Sequence, residues 1–363
     1  MLNYNIIFVD YTSSHTHSSI KNRAIGASEY QFYNLIKQIS NYKHIYCYNF
    51  IKEIIEIDNI TYDNFDNFID NISNDDIIIF QRFLPNNQII LNKILNNKIY
   101  LWIHDISGPA LFLKNDTQLQ NYYTNNNIKF KEDYLNNIQN NKNYNFIYNS
   151  LFCKKLFGEY LLKYDITIDE NRNHLIYNIL YDDELKIIND NKQININNIV
   201  YASAWQKGIE KVISIFDFIY TKDNSITLTL MSPGYDYHNF KDYEQKLKDK
   251  YKNNIIILGP LNKQEYAHII KKSCCVISST FQETFGCVFA ESYYLGTPVI
   301  ADKKSGAVIE IIGEENIVNY NNYDEVYNKF IEVKNNRDKL IINLDEKFSL
   351  DYNLKLWKHL LNI

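Results

Sequence analysis

The stretch FQETFGCVFAESYYLGTPVIA, residues 281–301, is mostly apolar or small, yet it holds two carboxylates, Glu283 and Glu291, with Phe285 and Gly286 between them. The apolar run CCVISST before it, Cys274 to Thr280, predicts a buried strand, and CVFAESYYLG predicts a helix stopped by Gly296 and Pro298. Glu283 then falls in the strand-to-helix loop and Glu291 inside the helix. A helix turns about 100° and rises about 1.5 Å per residue, so two acids with this spacing lie roughly 12 Å apart along a helix and on different faces. They cannot share one proton-transfer task. Acids on either side of a helix N-terminus suit a ligand that is hydroxyl-rich at both ends and anionic in the middle, because free helical amides attract the anion. A nucleotide diphosphate sugar has that form. The segment alone leaves a plainer alternative open, in which Glu283 only favours the helix dipole and Glu291 faces solvent.

Outward from this stretch, short apolar runs alternate with helix-like segments. In the amino half these are YNIIFVDY, HIYCYNF, DDIIIFQRF, KIYLWIHDI, YNFIYNS and NHLIYNIL, with EYQFYNLIKQI and LFCKKLFGEYLL as helices. After a polar stretch, DDELKIINDNKQININN (182–198), the alternation restarts with NIVYASA, SITLTLMS, NIIILGP and CCVISST. Such alternation predicts parallel sheets with crossover helices. The expected organisation is an α/β chain of two Rossmann-like lobes, 1–183 and 199–345, a linker at 184–198, and a C-terminal helix at 346–363 that returns towards the N-terminal lobe. In that helix Leu350, Leu354, Trp357 and Leu361 recur at helical spacing behind Ser349 as N-cap. Two such lobes facing each other place a ligand in the cleft at the carboxyl ends of their strands. Residues 114–145 are polar and biased, and read equally as a helical excursion or a flap.

Composition excludes several classes. A chain of 363 residues exceeds one ordinary core, and its hydrophobic fraction of 45% is that of a globular protein. The formal net charge is −5 and no basic block is long, so nucleic acid is not an expected partner. The five cysteines include the adjacent Cys274 and Cys275, whose side chains point to opposite faces of a strand; this favours reduced thiols in the cytoplasm and shows no metal-ligand spacing. No segment is long enough to span a bilayer, so the expectation is a soluble chain, at most peripheral to a membrane. Abundant Asn, Ile, Lys and Tyr with only 10 Gly and 5 Pro match the codon bias of an AT-rich genome, such as that of a large DNA virus, protist or bacterium.

Together these segments resemble the retaining glycosyltransferases of GT-B fold, glycosyltransferase family 4, also known as glycosyl transferases group 1. The run E-T-F-G-x-x-x-x-E from Glu283 to Glu291, followed by LGTPVIA and SGAVIEII, resembles that family's donor signature. VYASAWQKGIEKVISIF resembles its second motif: Lys207 and Gly208 fit, whereas Ala202 and Ser203 stand where a Gly-Arg pair is usual. Arg82 and Lys303 are the candidates to replace the missing cation. IGASEYQFYNLI resembles the Gly-Gly-x-E loop, with Gly26 kept and Ala27 for the second glycine, and LWIHDI places His104 and Asp105 after a strand, where the family often has a His near the transferred sugar. HLIYNILYDDE carries Ile179 where Gly is usual. The resemblance spans nearly the whole chain and is weakest at 40–95 and 110–145.

The resemblance implies transfer of a sugar, with retention of anomeric configuration, from a nucleotide sugar, a UDP-sugar first, to a glycan, lipid or protein acceptor. Catalytic candidates are Glu283, Lys207 and His104; donor-binding candidates are Gly26, Ala27, Ser203, Lys207, Gly208, Glu283, Thr284, Phe285, Gly286 and Glu291. In such a site fixed charge and helix-terminal amides stabilise the departing diphosphate. No cofactor and no metal are expected: no two Asp are separated by one residue, the adjacent pairs Asp75-Asp76 and Asp182-Asp183 fall at a strand start and at the start of the polar stretch 182–198, and His15 and His17 have no evident third ligand. Two other readings stay open, a relative with epimerase- or phosphorylase-like chemistry and a non-catalytic binding protein. No second His follows a strand in the carboxyl half, as an epimerase needs, and phosphorylases are far longer. The non-catalytic reading gains something from Ala27, Ile179 and the absent Arg.

Overall fold

The computed structural model describes the chain except residues 1–3, 11, 21–24, 83, 86, 105–137, 163–164, 186–192, 232–240, 281 and 341–343. The readings of Asp105, of 114–137 and of linker residues 186–192 therefore lie outside the described residues. Contacts divide the chain into two units: Met1–Ser18, Tyr30–Asn178 and Asp351–Ile363 form one, Ser19–Glu29 and Ile179–Leu350 the other. No described helix is long and apolar enough to cross a membrane.

The N-terminal unit is an eight-stranded sheet in the order β3-β4-β2-β1-β5-β6-β7-β8. The strands are β1 Ile6–Val9, β2 Ile45–Asn49, β3 Ile55–Ile57, β4 Ile60–Asn64, β5 Ile77–Gln81, β6 Lys98–Ile103, β7 Tyr144–Tyr148 and β8 Asn173–Leu175. All neighbours are parallel except β3 and β4. Because side chains alternate along a strand, each strand feeds two cores. Ile78, Phe80, Leu101 and Phe146 face one side with Cys153 and Phe157 of α2 (Leu151–Leu162). Phe8 and Trp102 face the other, where Phe32 of α1 (Ala27–Ser40) lies 5.5 Å from the Phe8 ring centre.

The antiparallel edge is a departure from the all-parallel expectation. Asp58 and Asn59 both adopt left-handed φ, 52° and 62°, forming the two-residue turn whose twist suits a hairpin, and β3 closes back on β4 instead of continuing the winding.

The C-terminal unit holds a wholly parallel six-stranded sheet in the order β11-β10-β9-β12-β13-β14. Its strands are β9 Asn195–Tyr201, β10 Thr227–Met231, β11 Ile255–Leu258, β12 Ser273–Ser278, β13 Val299–Asp302 and β14 Ile317–Val318. Its longer helices are α3 Ile209–Lys222, α4 Lys241–Tyr251, α5 Lys263–Lys271, α6 Cys287–Tyr294 and α7 Tyr323–Asn336. One face buries Ile199, Leu228, Cys275 and Ile300 against Phe216 of α3 and Phe330 of α7. On the other, α5 packs on β12 and α6, and α6 on β13. The chain winds outward through β9, β10 and β11, then returns to β12 on the other side of β9 and winds away through β13 and β14. Between β9 and β12 the winding reverses, so the loops leaving their carboxyl ends diverge to opposite faces and open a crevice where α/β sheets bind ligands.

The last helix, α8 (Leu350–Leu361), packs in the N-terminal unit from Asp351 on. Trp357 meets Trp102 edge to face at 4.8 Å, and the Tyr100 hydroxyl donates to the Leu360 carbonyl at 3.2 Å. Its buried stripe is Asn353, Trp357, Leu360 and Leu361; Leu350 and Leu354, expected on that face, are only half-buried because the stripe is rotated towards Asn353.

Candidate active site

The loop leaving β9 is shaped by its own apolar residues. Ala204 and Trp205 are buried, and the Tyr201 hydroxyl donates to the Ala204 carbonyl at 2.8 Å. This turns the chain so that Lys207, whose amide also donates to Ala204 at 2.9 Å, projects outward. Gly208 follows at φ 107°, and α3 starts with no side-chain cap. A methyl there would stand 2.5 Å from Ser279 Oγ, which donates to the Gly208 carbonyl at 2.6 Å. Ser279, the first residue after β12, thus stitches the two neighbouring loops together. Ser203 is half-exposed in the first of them.

The loop leaving β12 is held from behind. The Glu283 carbonyl accepts the Ala307 amide at 2.9 Å, and the Gln282 amide donates to Lys304 at 3.2 Å, so SGAVIEII is the backing of the acidic loop. Phe285 is buried edge to face with Phe348 at 5.7 Å; it contributes its backbone to the loop and its ring to the core. Thr284 is buried beside it. Gly286 adopts φ 80° and opens α6, again without a side-chain cap. Two uncapped helix starts, α3 and α6, therefore lie at the reversal point of the sheet, with partial positive charge at each.

Across them, Lys207 Nζ pairs with Glu283 Oε2 at 3.2 Å. The lysine side chain is 44% exposed and the glutamate 16%. The family-like residues of the two motifs are thereby brought together from positions 76 apart in sequence. Glu291, one turn into α6, does not face solvent. Its side chain is 7% exposed and forms an ion pair with Lys263, the first residue of α5. Lys263 escaped sequence reasoning; the available signal was N-K-Q-E, a capping box in which Asn262 and Glu265 fix the helix start. The Lys263 ammonium also lies 4.8 Å from the Tyr266 ring centre. Burial, and then the charge of Glu291, push the Tyr266 hydroxyl well up, so it stays protonated. Of the two substitutes considered for the missing Arg, Lys303 is exposed just beyond β13 on this same edge, whereas Arg82 belongs to the N-terminal unit.

Gly26 and Ala27 lie in Ser19–Glu29, a segment whose contacts group it with the C-terminal unit. The Glu29 carboxylate folds back over Gly26, and Ala27 is exposed as the first residue of α1. His104 belongs to the N-terminal unit, immediately after β6, buried, with its ring centre 4.2 Å from that of Trp102 and tilted 42° to it. Its carbonyl accepts Asn149 Nδ2 at 3.0 Å. Burial, and next the Arg82 charge, hold its pKa well below the ordinary value, so the ring is neutral and can donate from one nitrogen and accept at the other. His17 is committed elsewhere: Nδ1 bonds Tyr62 at 2.8 Å and Nε2 bonds Asp58 at 2.9 Å. Asp76 accepts the amides of Asn5 and Ser73 at 2.8 and 2.9 Å, a strand-start cap.

The neutral His104 has a stability consequence. In the unfolded chain its pKa returns to about 6.5, so below that pH the unfolded state binds more protons and acidification destabilises the fold. Above it both states are neutral and nothing is gained. Urea midpoints from pH 7 to pH 5 should fall less steeply for His104→Gln than for the wild type. An unchanged slope would place the acid sensitivity on other groups, of which His174, lowered by burial and Lys98, is the first.

Two α/β sheets, parallel throughout except for the β3–β4 hairpin, with an acid-lysine pair across the reversal point of the second, have the make-up of the GT-B fold. Residues 183–349 match the model of the family Glycosyl transferases group 1. Alpha-1,3/1,6-mannosyltransferase ALG2 of Dictyostelium discoideum is 28% identical over 140 residues, 36% of this chain and 33% of that protein. The match thus spans about a third of that relative's length. The fold is similar to sucrose-phosphate synthase of Thermosynechococcus elongatus, with TM-score 0.73 and 14% identity over 99% of this chain and 98% of that one. It is also similar to HepE of Anabaena in complex with UDP and glucose, with TM-score 0.64 and 15% identity over 99% and 100%.

Proposed function

We propose that this protein transfers a sugar from a nucleotide diphosphate sugar to a hydroxyl of a glycan, lipid or protein acceptor, with retention of anomeric configuration. The observation that carries the reading is the Lys207–Glu283 pair spanning two uncapped helix starts at the sheet's reversal point. Lys207 and the amides opening α3 and α6 receive the diphosphate. Glu283 accepts hydroxyls of the donor sugar, and Glu291 those of the ribose; each charge-assisted bond contributes about 1.5–3 kcal/mol. His104 keeps the role that the resemblance gives it. The bond from the anomeric carbon to the diphosphate oxygen breaks, the acceptor oxygen bonds that carbon from the same face, and its proton passes to the leaving diphosphate. A UDP-sugar is favoured, as HepE was crystallised with UDP-glucose.

The test is donor turnover across UDP-, GDP-, ADP- and TDP-sugars, with the product anomer read by NMR. One donor should be consumed with its configuration kept. Consumption of none, or a sugar epimerised while still attached to the nucleotide, would overturn the reading.

The reaction is further expected to run without a divalent metal, because Lys207 and the helix-terminal amides supply the charge that a metal otherwise would. Turnover in excess chelator should stay within about twofold of that with added Mg²⁺ or Mn²⁺. Complete loss in chelator, restored by metal, would replace this mechanism with a metal-assisted one. The cation absent at Ser203 makes this comparison the sharper one.

A further inference from the structure

Lys263 falls outside both motifs, yet it holds one of their two acids. It opens α5 at the carboxyl edge of the sheet, from which the loops of Lys207 and Glu283 also leave. Three features fix its ammonium. The Asn262–Glu265 capping box sets the first turn of α5, α5 packs on α6, and the ammonium lies over the face of Tyr266. A carboxylate as buried as that of Glu291 is costly without a partner, and one held by a fixed cation is both charged and oriented. The pair remains open on the lysine side, whose side chain is 23% exposed.

We propose that Lys263 is a positioning residue for the nucleoside end of the donor: it holds the Glu291 carboxylate in the orientation that accepts ribose hydroxyls. The inference rests on the donor-site reading above and deepens it. The site is then built as two acid-lysine pairs with separate tasks. Lys207 with Glu283 serves the diphosphate and the sugar, and Lys263 with Glu291 serves the ribose. The separation predicts that loss of Lys263 weakens ligands that carry a nucleoside and spares those that do not.

Calorimetric titration of the wild type, Lys263→Met, Lys263→Arg and Glu291→Gln with UDP, GDP, ADP, TDP and inorganic pyrophosphate tests this. For whichever diphosphate the wild type binds, Lys263→Met should weaken affinity tenfold or more while pyrophosphate affinity stays within twofold. Lys263→Arg should recover most of the loss, and Lys263→Met added to Glu291→Gln should weaken binding little further, since the two act through one carboxylate. Equal loss of pyrophosphate and nucleotide would make Lys263 a structural brace, and unchanged nucleotide affinity would overturn the inference while leaving the donor site intact. A wild type that binds pyrophosphate but no nucleoside diphosphate would overturn both. If Lys263→Met lowers the yield of folded protein, Lys263→Gln carries the same comparison.

Discussion

Lys207→Ala should lower donor turnover by a hundredfold or more and leave the fold intact. Charge develops on the diphosphate as the glycosidic bond breaks, and a positioned cation there is worth about 2–4 kcal/mol of barrier. The fold depends little on the same side chain: it is half-exposed, and an ion pair of that exposure contributes at most about 1 kcal/mol to stability. Turnover and thermal midpoint should therefore separate, with the first collapsing and the second moving by a few degrees at most. Glu283→Gln should follow the same pattern, because it keeps the shape and loses the charge that receives the sugar hydroxyls. Near-normal turnover in Lys207→Ala would move the task to another cation, with Lys303 on the same sheet edge first to be tested.

Gly286→Ala should damage both stability and activity. The residue holds φ 80°, where an L side chain costs roughly 1–2 kcal/mol. Its methyl would stand 2.5 and 2.6 Å from two ring atoms of Phe289 and 3.1 Å from Glu283 Cγ. Phe289 is buried and cannot swing clear, so the loop must yield, and it carries Glu283 with it. A displacement of even about 1 Å at a positioned group can cost on the order of a hundredfold in rate. The expected result is a midpoint lowered by several degrees together with a turnover loss of that order. Gly158→Ala is the matched control, since a methyl at that helical position meets nothing within 4 Å. If Gly286→Ala behaves like the control, the close packing at the start of α6 is not what sets the acid.

Much of this was legible in the sequence, for reasons that differ by element. The parallel strands announced themselves as continuous apolar runs because both of their faces are buried, and IIIFQ at β5 and SCCVIS at β12 are buried at every position. The loop position of Glu283 followed from the run before it and the glycine after it. The hairpin of β3 and β4 was missed because its strands are short and half-polar and its turn carries Asp58 and Asn59 with no glycine. β14, two residues long, has no periodicity to read. The environment of Glu291 was illegible for a deeper reason. Its partner Lys263 is 28 residues away and belongs to neither motif, so only packing of α5 on α6 brings the pair together. The charge of a residue can be read from a sequence, but the cost of burying it, and what offsets that cost, requires the neighbours.

Amide hydrogen exchange with and without the nucleoside diphosphates UDP, GDP, ADP and TDP tests the central claim most directly, because the ligand is placed on backbone amides at two stated helix starts. One of the four should slow exchange in Ala202–Lys211 and in Gln282–Glu291, the segments that leave β9 and β12, with little change along α4 or α7. Binding that protects neither segment, or none of the four ligands altering exchange at millimolar concentration, would contradict the assignment of this site.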